Sequence, residues 1–471
     1  MTQTPRRVSV AELQAQGRDV PTPFLLEGSL DPVLDDGRIE CLEVLRLLPG
    51  RRLVMRVRVG GRACVLKLFV GDGAARYSAR ERAGLELLAA SGVRTPELVA
   101  HLHLPGGGEG ILLDWLTRSR PLVEEDPRGL AEVAAALARL HANGALQHDA
   151  HLNNYLRGGD GTLYAIDGDG VRRPALARRK RELANLALLL AQLPPPDSDR
   201  LAIVAGAYWR ERWGSDPRPE ELAALQRRVN AQRARRMRRY LRKTLRECTE
   251  FHCDRKDGRF VVCARDAWTS HMADFVDQPE DHLVAGTVLK AGNSATVMRV
   301  RVGGVPYVVK RYNVKSFLHG LRRALRPKPR YRVAWLSGHR LLRLGIATPR
   351  PVALLEVPRG LATVAYLVTE DLGGSRGLAD EIDADGYSPG VGQAVAGLFL
   401  ALGDAGLIHG DTKASNFLVG NDDVYLIDLD AMKQGGRRRS RDVARFLANW
   451  DETPEVQASF RGALQEAGVP L

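Results

Sequence analysis

Four side chains recur twice along the chain at a spacing that could serve phosphoryl transfer. A lysine in an alternating apolar run is followed by an aspartate, by an asparagine five residues later and by a second aspartate 17 or 18 residues after the first. Lysine can neutralise nucleotide phosphates, the first aspartate can orient or deprotonate an acceptor hydroxyl, and the amide and last carboxylate can hold Mg²⁺. The two sets are Lys67, Asp149, Asn154 and Asp167, and Lys310, Asp411, Asn416 and Asp428.

The elements that must position these side chains also occur twice, which indicates an internal duplication. The segment MRVRVGG begins at Met55 and again at Met298, and an alternating apolar run follows it in both places. Period-two alternation around a Gly-Gly pair predicts a β-hairpin whose second strand carries the lysine. LQHDAHLNNYL (146–156) corresponds to IHGDTKASNFL (408–418), and a predicted hairpin ending in IDGD or IDLD follows each loop. The sequence therefore predicts two related domains.

These motifs resemble the protein-kinase-like superfamily and are most similar to the lipopolysaccharide kinase (Kdo/WaaP) family. The resemblance rests on the VLK and VVK strands, the two Asp-x4-Asn loops, the IDGD and IDLD strands, and the segment GHRLLRLGIATPRP (338–351). It implies an α+β fold with two tandem protein-kinase-like domains, each a small antiparallel sheet followed by a helical lobe. We expect them at 1–265, ending with a basic helix at about 220–250, and at 266–471, with a minimal helical lobe.

The resemblance also implies roles for individual residues. Asp149 and Asp411 would be catalytic bases, and Lys67 and Lys310 would contact phosphate. The metal ligands would be Asn154 with Asp167 and Asn416 with Asp428. Lys413 would supply a transition-state cation, which His151 replaces in the first copy.

Two further features of the family pattern are unequal between the copies. Glu81 is placed to pair with Lys67, whereas no acid occurs between Arg332 and Leu344, so Lys310 should be held differently. Two spaced glycines, Gly286 and Gly292, predict a phosphate-cradling loop in the second copy. Each IDxD strand carries one more acid, Asp169 or Asp430, which either assists the metal or caps the following turn.

Composition narrows the classes of partner and location. The chain has 471 residues, and its composition is that of a folded globular protein, not a disordered or fibrous one. Its net charge of +13 and its pI near 9.7 predict an anionic partner. Residues 1–20 lack the apolar core of a signal peptide, and the most apolar stretch, Leu183–Leu193, is shorter than the roughly 20 residues that span a bilayer. The protein is predicted to be cytoplasmic.

Two basic segments could bring the protein to a membrane surface. Residues 315–332 have the spacing of an amphipathic helix, and 227–246 contain ten Lys or Arg and no acid. Ordinary solvated helices explain both segments as well. Tyr240 is the one aromatic residue within 227–246, so we do not expect nucleic acid as a partner.

The resemblance and the charge together predict an enzyme that uses ATP and Mg²⁺. It would phosphorylate sugar hydroxyls of the lipopolysaccharide inner core (heptose or Kdo) as a peripheral protein at the cytosolic face of the inner membrane. Two alternatives stay open: a pseudokinase or scaffold with one or both domains silent, and a kinase for a soluble small molecule or protein.

Overall fold

The structure is a computed structural model of the chain. It describes residues 5–16, 20–27, 38–123, 126–175, 179–192, 198–313, 329–360, 362–420, 423–435 and 439–471. The chain divides into two compact units, Met1–Arg233 and Ala234–Leu471. Each unit combines sheets with helices, which confirms the predicted α+β class.

The first unit contains a seven-stranded sheet in the order β1-β2-β3-β4-β5-β7-β6. All neighbouring strands are antiparallel except β1 and β2, which are parallel. Its strands are β1 (Arg6–Val8), β2 (Phe24–Leu26), β3 (Ile39–Leu48), β4 (Arg52–Val59), β5 (Arg62–Phe69), β6 (Leu98–Leu104) and β7 (Gly108–Asp114). The shorter strands that follow are β8 (Arg120–Pro121), β9 (Leu146–Gln147), β10 (Tyr155–Arg157), β11 (Leu163–Ala165) and β12 (Val171–Arg172).

The second unit contains a seven-stranded antiparallel sheet in the order β13-β14-β18-β19-β17-β16-β15. Its strands are β13 (Phe251–Lys256), β14 (Arg259–Ala264), β15 (Thr287–Ala291), β16 (Ala295–Val302), β17 (Val305–Tyr312), β18 (Pro351–Arg359) and β19 (Ala362–Glu370). The shorter strands are β20 (Arg376–Gly377), β21 (Leu407–Ile408), β22 (Phe417–Gly420), β23 (Asp423–Leu426) and β24 (Lys433–Gln434).

A five-strand pattern is common to both large sheets. Strands β3-β4-β5-β7-β6 and β15-β16-β17-β19-β18 have the same order, with the lysine on the third strand and a helix after it. The duplicated hairpins β4–β5 and β16–β17 are confirmed. Each sheet is larger than predicted because two strands extend it, β1 and β2 beside β3 in the first unit and β13 and β14 beside β18 in the second.

The position of β13 and β14 also moves the division between the units. The sequence-based boundary after residue 265 assigns these strands to the first domain. In the structure Val262 on β14 pairs with Leu354 on β18, so both strands belong to the second sheet. The observed division falls within the helix Pro219–Lys243.

Helices follow the sheets in both units. In the first unit they are α1 (Val10–Gln16), α2 (Ala74–Ala90), α3 (Pro127–Ala142), α4 (Arg179–Leu190), α5 (Ser198–Trp213) and α6 (Pro219–Lys243), the last ending in the second unit. In the second unit they are α7 (Ser270–Asp277), α8 (Pro279–Val284), α9 (Arg330–Arg343), α10 (Leu378–Asp385), α11 (Pro389–Asp404), α12 (Arg439–Leu447) and α13 (Pro454–Glu466). The basic helix predicted at about 220–250 corresponds to α6. Most of the one predicted at 315–332 lies outside the described residues, since the description resumes at residue 329.

Alternating side chains divide the first sheet between two cores. Leu112 packs with β4, β5 and α1 on one face, while Ile111 and Leu113 pack with α2 and α3 on the other. Period-two alternation along β7 thus fixes which residues face the helices that carry the site. Within the described residues, the longest apolar helices are too short or too polar to cross a membrane.

Candidate functional site

The lysine of the second unit lies in a cluster of acids. Lys310 Nζ donates to Asp428 Oδ1 at 2.6 Å and to Asp430 Oδ2 at 3.0 Å. Asp430 also accepts from Tyr312 OH at 2.6 Å and from Arg330 Nη2 at 2.8 Å. The prediction that Lys310 lacks a helical acid and is held differently is confirmed: its partners come from the segment after β23.

The backbone and charge of Asp428 distinguish it from the other acids. Its φ of 57° lies in the left-handed region, which is rare for a residue with a side chain and recurs at functional sites. Burial raises the pKa of Asp428, but the charge and hydrogen bond of Lys310 outweigh burial and hold it below its ordinary value. The carboxylate is therefore ionised at neutral pH and able to bind cations.

The loop before β22 places Asp411 and Asn416 next to each other. Asn416 Nδ2 donates to Asp411 O at 2.8 Å, and Asn416 O accepts from Ile427 N at 3.0 Å. Because the amide nitrogen is engaged by the loop, the amide oxygen is the atom left for a cation. A carboxylate and an amide oxygen are the hard ligands that Mg²⁺ prefers, so Asn416 and Asp428 could hold it.

A buried acid on α12 holds the Asp411 loop in place through hydrogen bonds. Asp442 Oδ2 accepts from His409 N at 2.7 Å, Asp442 Oδ1 accepts from Gly410 N at 3.1 Å, and Asp442 O accepts from Thr412 Oγ1 at 2.6 Å. His409 Nε2 then donates to Ile427 O at 3.0 Å, and burial lowers the pKa of His409. These bonds tie the Asp411 loop to the backbone just before Asp428.

Two cations accompany Asp411. Arg445 Nη2 lies 2.9 Å from Asp411 Oδ1, and Lys413 is exposed two residues further along the loop. Arg445 was not predicted as a site residue. An arginine inside a basic segment such as RRRSRDVARF (437–446) gives no sequence signal that separates it from its neighbours.

The lysine of the first unit has the predicted helical partner. Lys67 Nζ donates to Glu81 on α2, and to Ile166 O at 2.6 Å. Glu81 is fully buried and accepts from Gly168 N at 3.1 Å and from Asp169 N at 3.0 Å. Glu81 therefore links the lysine strand, its own helix and the backbone after Asp167.

The loop of the first unit repeats the local geometry of the second. Asn154 Nδ2 donates to Asp149 O at 2.7 Å, and Asn154 O accepts from Ile166 N at 2.8 Å. Asn185 on α4 anchors the loop where an acid does so in the second unit. Its Oδ1 accepts from Gln147 N at 3.1 Å, and its Nδ2 donates to Gln147 O at 2.6 Å.

Arginines surround the last acids of the first unit. Arg51 Nη2 lies 3.1 Å and Arg80 Nη2 3.0 Å from Asp169, while Arg52 Nη2 lies 3.9 Å from Asp167 Oδ2. Burial raises the pKa of Asp167, but Lys67 and Arg52 together hold it below its ordinary value. Asp167 is thus an ionised carboxylate whose nearest cations come from the protein itself. Sequence reasoning missed these arginines because Arg51 and Arg52 lie at the β3–β4 turn and Arg80 lies on α2, far in sequence from the acids they meet.

The two glycines predicted to form one phosphate loop do not lie together. Gly286 precedes β15 and Gly292 follows it, so the length of a strand, roughly 20 Å, separates them. Gly292 is in the turn beside Asn313, whose Nδ2 donates to Gly292 O at 3.2 Å. Gly286 packs at the other end, where an added Cβ would lie 2.9 Å from Arg299 O. Gly292 alone is near the end of β17 that carries Lys310.

Comparison with known proteins supports the resemblance for the second unit. Residues 284–458 match the model of the lipopolysaccharide kinase (Kdo/WaaP) family, a family of kinases. This confirms the resemblance for residues 284–458 and supports a phosphotransferase. The solved structure "WaaP in complex with acyl carrier protein" is similar at 22% identity and a TM-score of 0.28, covering 40% of this chain and 83% of that chain. No curated protein matches the chain.

Proposed function

We propose that the protein is an ATP- and Mg²⁺-dependent kinase of the lipopolysaccharide-core type, built from two tandem kinase-like domains. The second unit would transfer phosphate. The observation that carries this proposal is the contact of Lys310 with Asp428 and of Asn416 with Asp411, two pairs that the hydrogen bond from Ile427 N to Asn416 O joins within the segment matching the kinase family. The bound nucleotide would supply the phosphoryl group, and Mg²⁺ would neutralise the charge on its oxygens.

The side chains of the second unit would divide the work as follows. Asp411 accepts the proton of the acceptor hydroxyl, and Lys413 lies two residues away to balance negative charge. Asn416 Oδ1 and Asp428 would hold Mg²⁺. Lys310 would contact the phosphate oxygens, and Asp430, 3.0 Å from its ammonium group, would keep that group in place.

The acceptor we propose is a sugar hydroxyl of the inner core, heptose or Kdo, at the cytosolic face of the inner membrane. The family of the second unit supports the acceptor class. The net charge of +13 and the basic helix α6 support attraction to an anionic glycolipid.

For the first unit we propose a catalytically silent role, because His151 stands where the second unit has the loop cation Lys413. Arg52 also lies 3.9 Å from Asp167, and Arg51 and Arg80 lie 3.1 and 3.0 Å from Asp169. The unit would then stabilise or regulate its neighbour rather than turn over.

The test is phosphate transfer from labelled ATP to underphosphorylated lipopolysaccharide core. Wild type, Asp411→Asn and Asp149→Asn are compared, with Asp383→Asn as a control that alters an exposed carboxylate on α10. We expect Asp411→Asn to lower transfer by about 10²- to 10⁴-fold and the other two variants to keep the wild-type rate. Loss in Asp149→Asn instead would make the first unit the catalyst.

Two other outcomes would replace the proposal. A folded wild type that binds ATP but phosphorylates no core would favour a scaffold. Transfer to a soluble sugar or protein, with none to lipopolysaccharide, would favour a kinase with a soluble acceptor.

A further inference from the structure

A hairpin of the first unit brings together three side chains that the phosphotransfer site does not use. His101 and His103 alternate along β6, so they share one face of the sheet. Glu109 on β7 is the direct cross-strand partner of His103. The apolar residues that alternate with them, Leu102 and Leu104, point to the opposite face and are buried in the core with α1.

The distances between the three side chains are those of a shared ligand set. Glu109 Oε1 lies 2.9 Å from His103 Nδ1, and Glu109 Oε2 lies 3.4 Å from His101 Nε2. One ligand atom from each residue falls within 4.8 Å of the others. Ligands bound to one tetrahedral Zn²⁺ at ordinary bond lengths are about 3.3 Å apart, so a small adjustment of side chains would suffice.

The environment of Glu109 supplies a second, independent observation. Glu109 Oε2 is shielded from solvent and makes no hydrogen bond, because its 3.4 Å approach to His101 lacks hydrogen-bond geometry. A buried carboxylate oxygen without a hydrogen bond is costly, and a cation would satisfy it. His103 leaves an entry path, because its side chain is 75% exposed while that of Glu109 is 16% exposed.

A buried serine lies beside the site on the neighbouring helix. Ser78 Oγ on α2 lies 2.9 Å from His101 Nε2, and Ser78 is fully buried. Because the same nitrogen lies 3.4 Å from Glu109 Oε2, an ion bound between them would replace the serine hydroxyl at His101 Nε2. Ser78 precedes Glu81 by three residues, about one helical turn, on the helix that holds Lys67.

We propose that His101, His103 and Glu109 bind one divalent transition-metal ion, with Zn²⁺ as the best match. Two imidazoles and one carboxylate suit zinc, whereas Mg²⁺ and Ca²⁺ prefer oxygen ligands alone. Three protein ligands leave the fourth position to water. The ion would join strands β6 and β7 on the face of the sheet that α2 covers with Ser78.

The experiment is a titration of the full-length protein with Co²⁺, a spectroscopic substitute for Zn²⁺, in the presence of excess Mg²⁺ to cover oxygen-only sites. We expect one Co²⁺ per chain, with visible absorption that Zn²⁺ abolishes by displacement. His103→Ala and Glu109→Gln should each weaken binding at least about 100-fold because each removes a ligand, whereas Ser78→Ala should not weaken it.

The matched control is His282→Ala. His282 also pairs with a carboxylate, Asp274, at 3.0 Å, but it forms no three-residue group among the described side chains. The control should bind Co²⁺ like wild type. Circular dichroism of every variant reports whether it is folded, and Glu109→Gln keeps the side-chain shape if His103→Ala unfolds.

Three results would overturn the proposal. They are no Co²⁺ or Zn²⁺ binding by folded wild type, unchanged binding in both His103→Ala and Glu109→Gln, and an equal loss in His282→Ala. The first result would mean that Glu109 shares a proton with the histidines and that the site binds no metal ion.

Discussion

Lys67 and Lys310 occupy the same position in the repeated sheet, yet their acids come from different places. Lys67 pairs with Glu81, which α2 supplies, and with the carbonyl of Ile166. Lys310 pairs with Asp428 and Asp430, which follow β23, and α9 supplies no acid to it. In the second unit His409 takes the bond to Ile427 O that Lys67 takes to Ile166 O in the first.

This difference shows that the position of the lysine is the same in both units, although different elements supply the acid that neutralises it. In the first unit the acid that holds the lysine is separate from the candidate metal ligand Asp167. In the second unit Asp428 has both roles, so the carboxylate that holds Lys310 is also the one that would bind the metal ion. Binding of a nucleotide with its metal would then rearrange the second site far more than the first.

The largest expected effect concerns which lysine supports phosphate transfer. Lys310→Met should lower transfer to the lipopolysaccharide core by about 10³-fold, because the phosphate oxygens lose a preorganised charge. Lys67→Met should leave the rate per folded molecule unchanged. Initial rates, normalised to the folded fraction from circular dichroism, check this prediction. Equal losses in both variants would mean that the two sites act together.

For the free energy of unfolding we expect the opposite order, with the larger loss at the Lys67 site. Glu81→Gln leaves Lys67 buried beside a neutral amide and should lower the free energy of unfolding by about 3 kcal/mol. Asp428→Asn should cost about 1 kcal/mol, because Lys310 keeps Asp430. Urea denaturation measures both, with Glu97→Gln, an exposed partner of Arg62, as a control that should not change. A larger loss in Asp428→Asn would contradict the comparison.

Close packing also holds the helix that carries Glu81 against the Asp167 segment. An added Cβ at Gly84 on α2 would lie 1.9 Å from Gly168 O, so Gly84→Ala should cost about 2 kcal/mol by pushing the helix from the Asp167 segment. Gly397→Ala, at an exposed helix position of the second unit with nothing within 4 Å, should stabilise by about 0.5 kcal/mol. Thermal unfolding should give shifts of opposite sign, and two destabilised variants would refute the packing argument.

Both units should also share a dependence of stability on pH. Burial lowers the pKa of His141 to about 4 and that of His339 to about 3. The unfolded chain binds these protons below about pH 6.5, before the folded chain does, so stability falls as pH drops. From pH 7 to 5 each histidine should cost about 2 kcal/mol.

His141→Gln should remove the first unit's share of this slope. His141 is neutral with both ring nitrogens engaged, Nδ1 by Tyr208 OH at 2.7 Å and Nε2 by Asn185 Oδ1 at 2.9 Å. Urea denaturation at both pH values measures the slope. A slope that stays the same in the variant would show that His141 does not titrate in this range.

Sequence reasoning succeeded where a residue's role follows from nearby residues. The alternating hairpins, the Asp-x4-Asn loops and the pairing of Glu81 with Lys67 were predicted and are observed. The glycine pair failed because spacing alone does not reveal that a strand separates Gly286 from Gly292. Asp442 was missed because a single acid in a basic segment resembles a solvent-exposed charge until burial is known.

The sequence by itself determined the duplicated order of lysine, aspartate, asparagine and aspartate, since local alternation and turn residues set strands and loops over short stretches. Tertiary structure alone decided which acids meet Lys310. Lys310 and Asp428 are 118 residues apart, and their contact depends on how β17 and the segment after β23 are brought together. The same holds for His101, His103 and Glu109, whose approach is set by strand register that no single segment encodes.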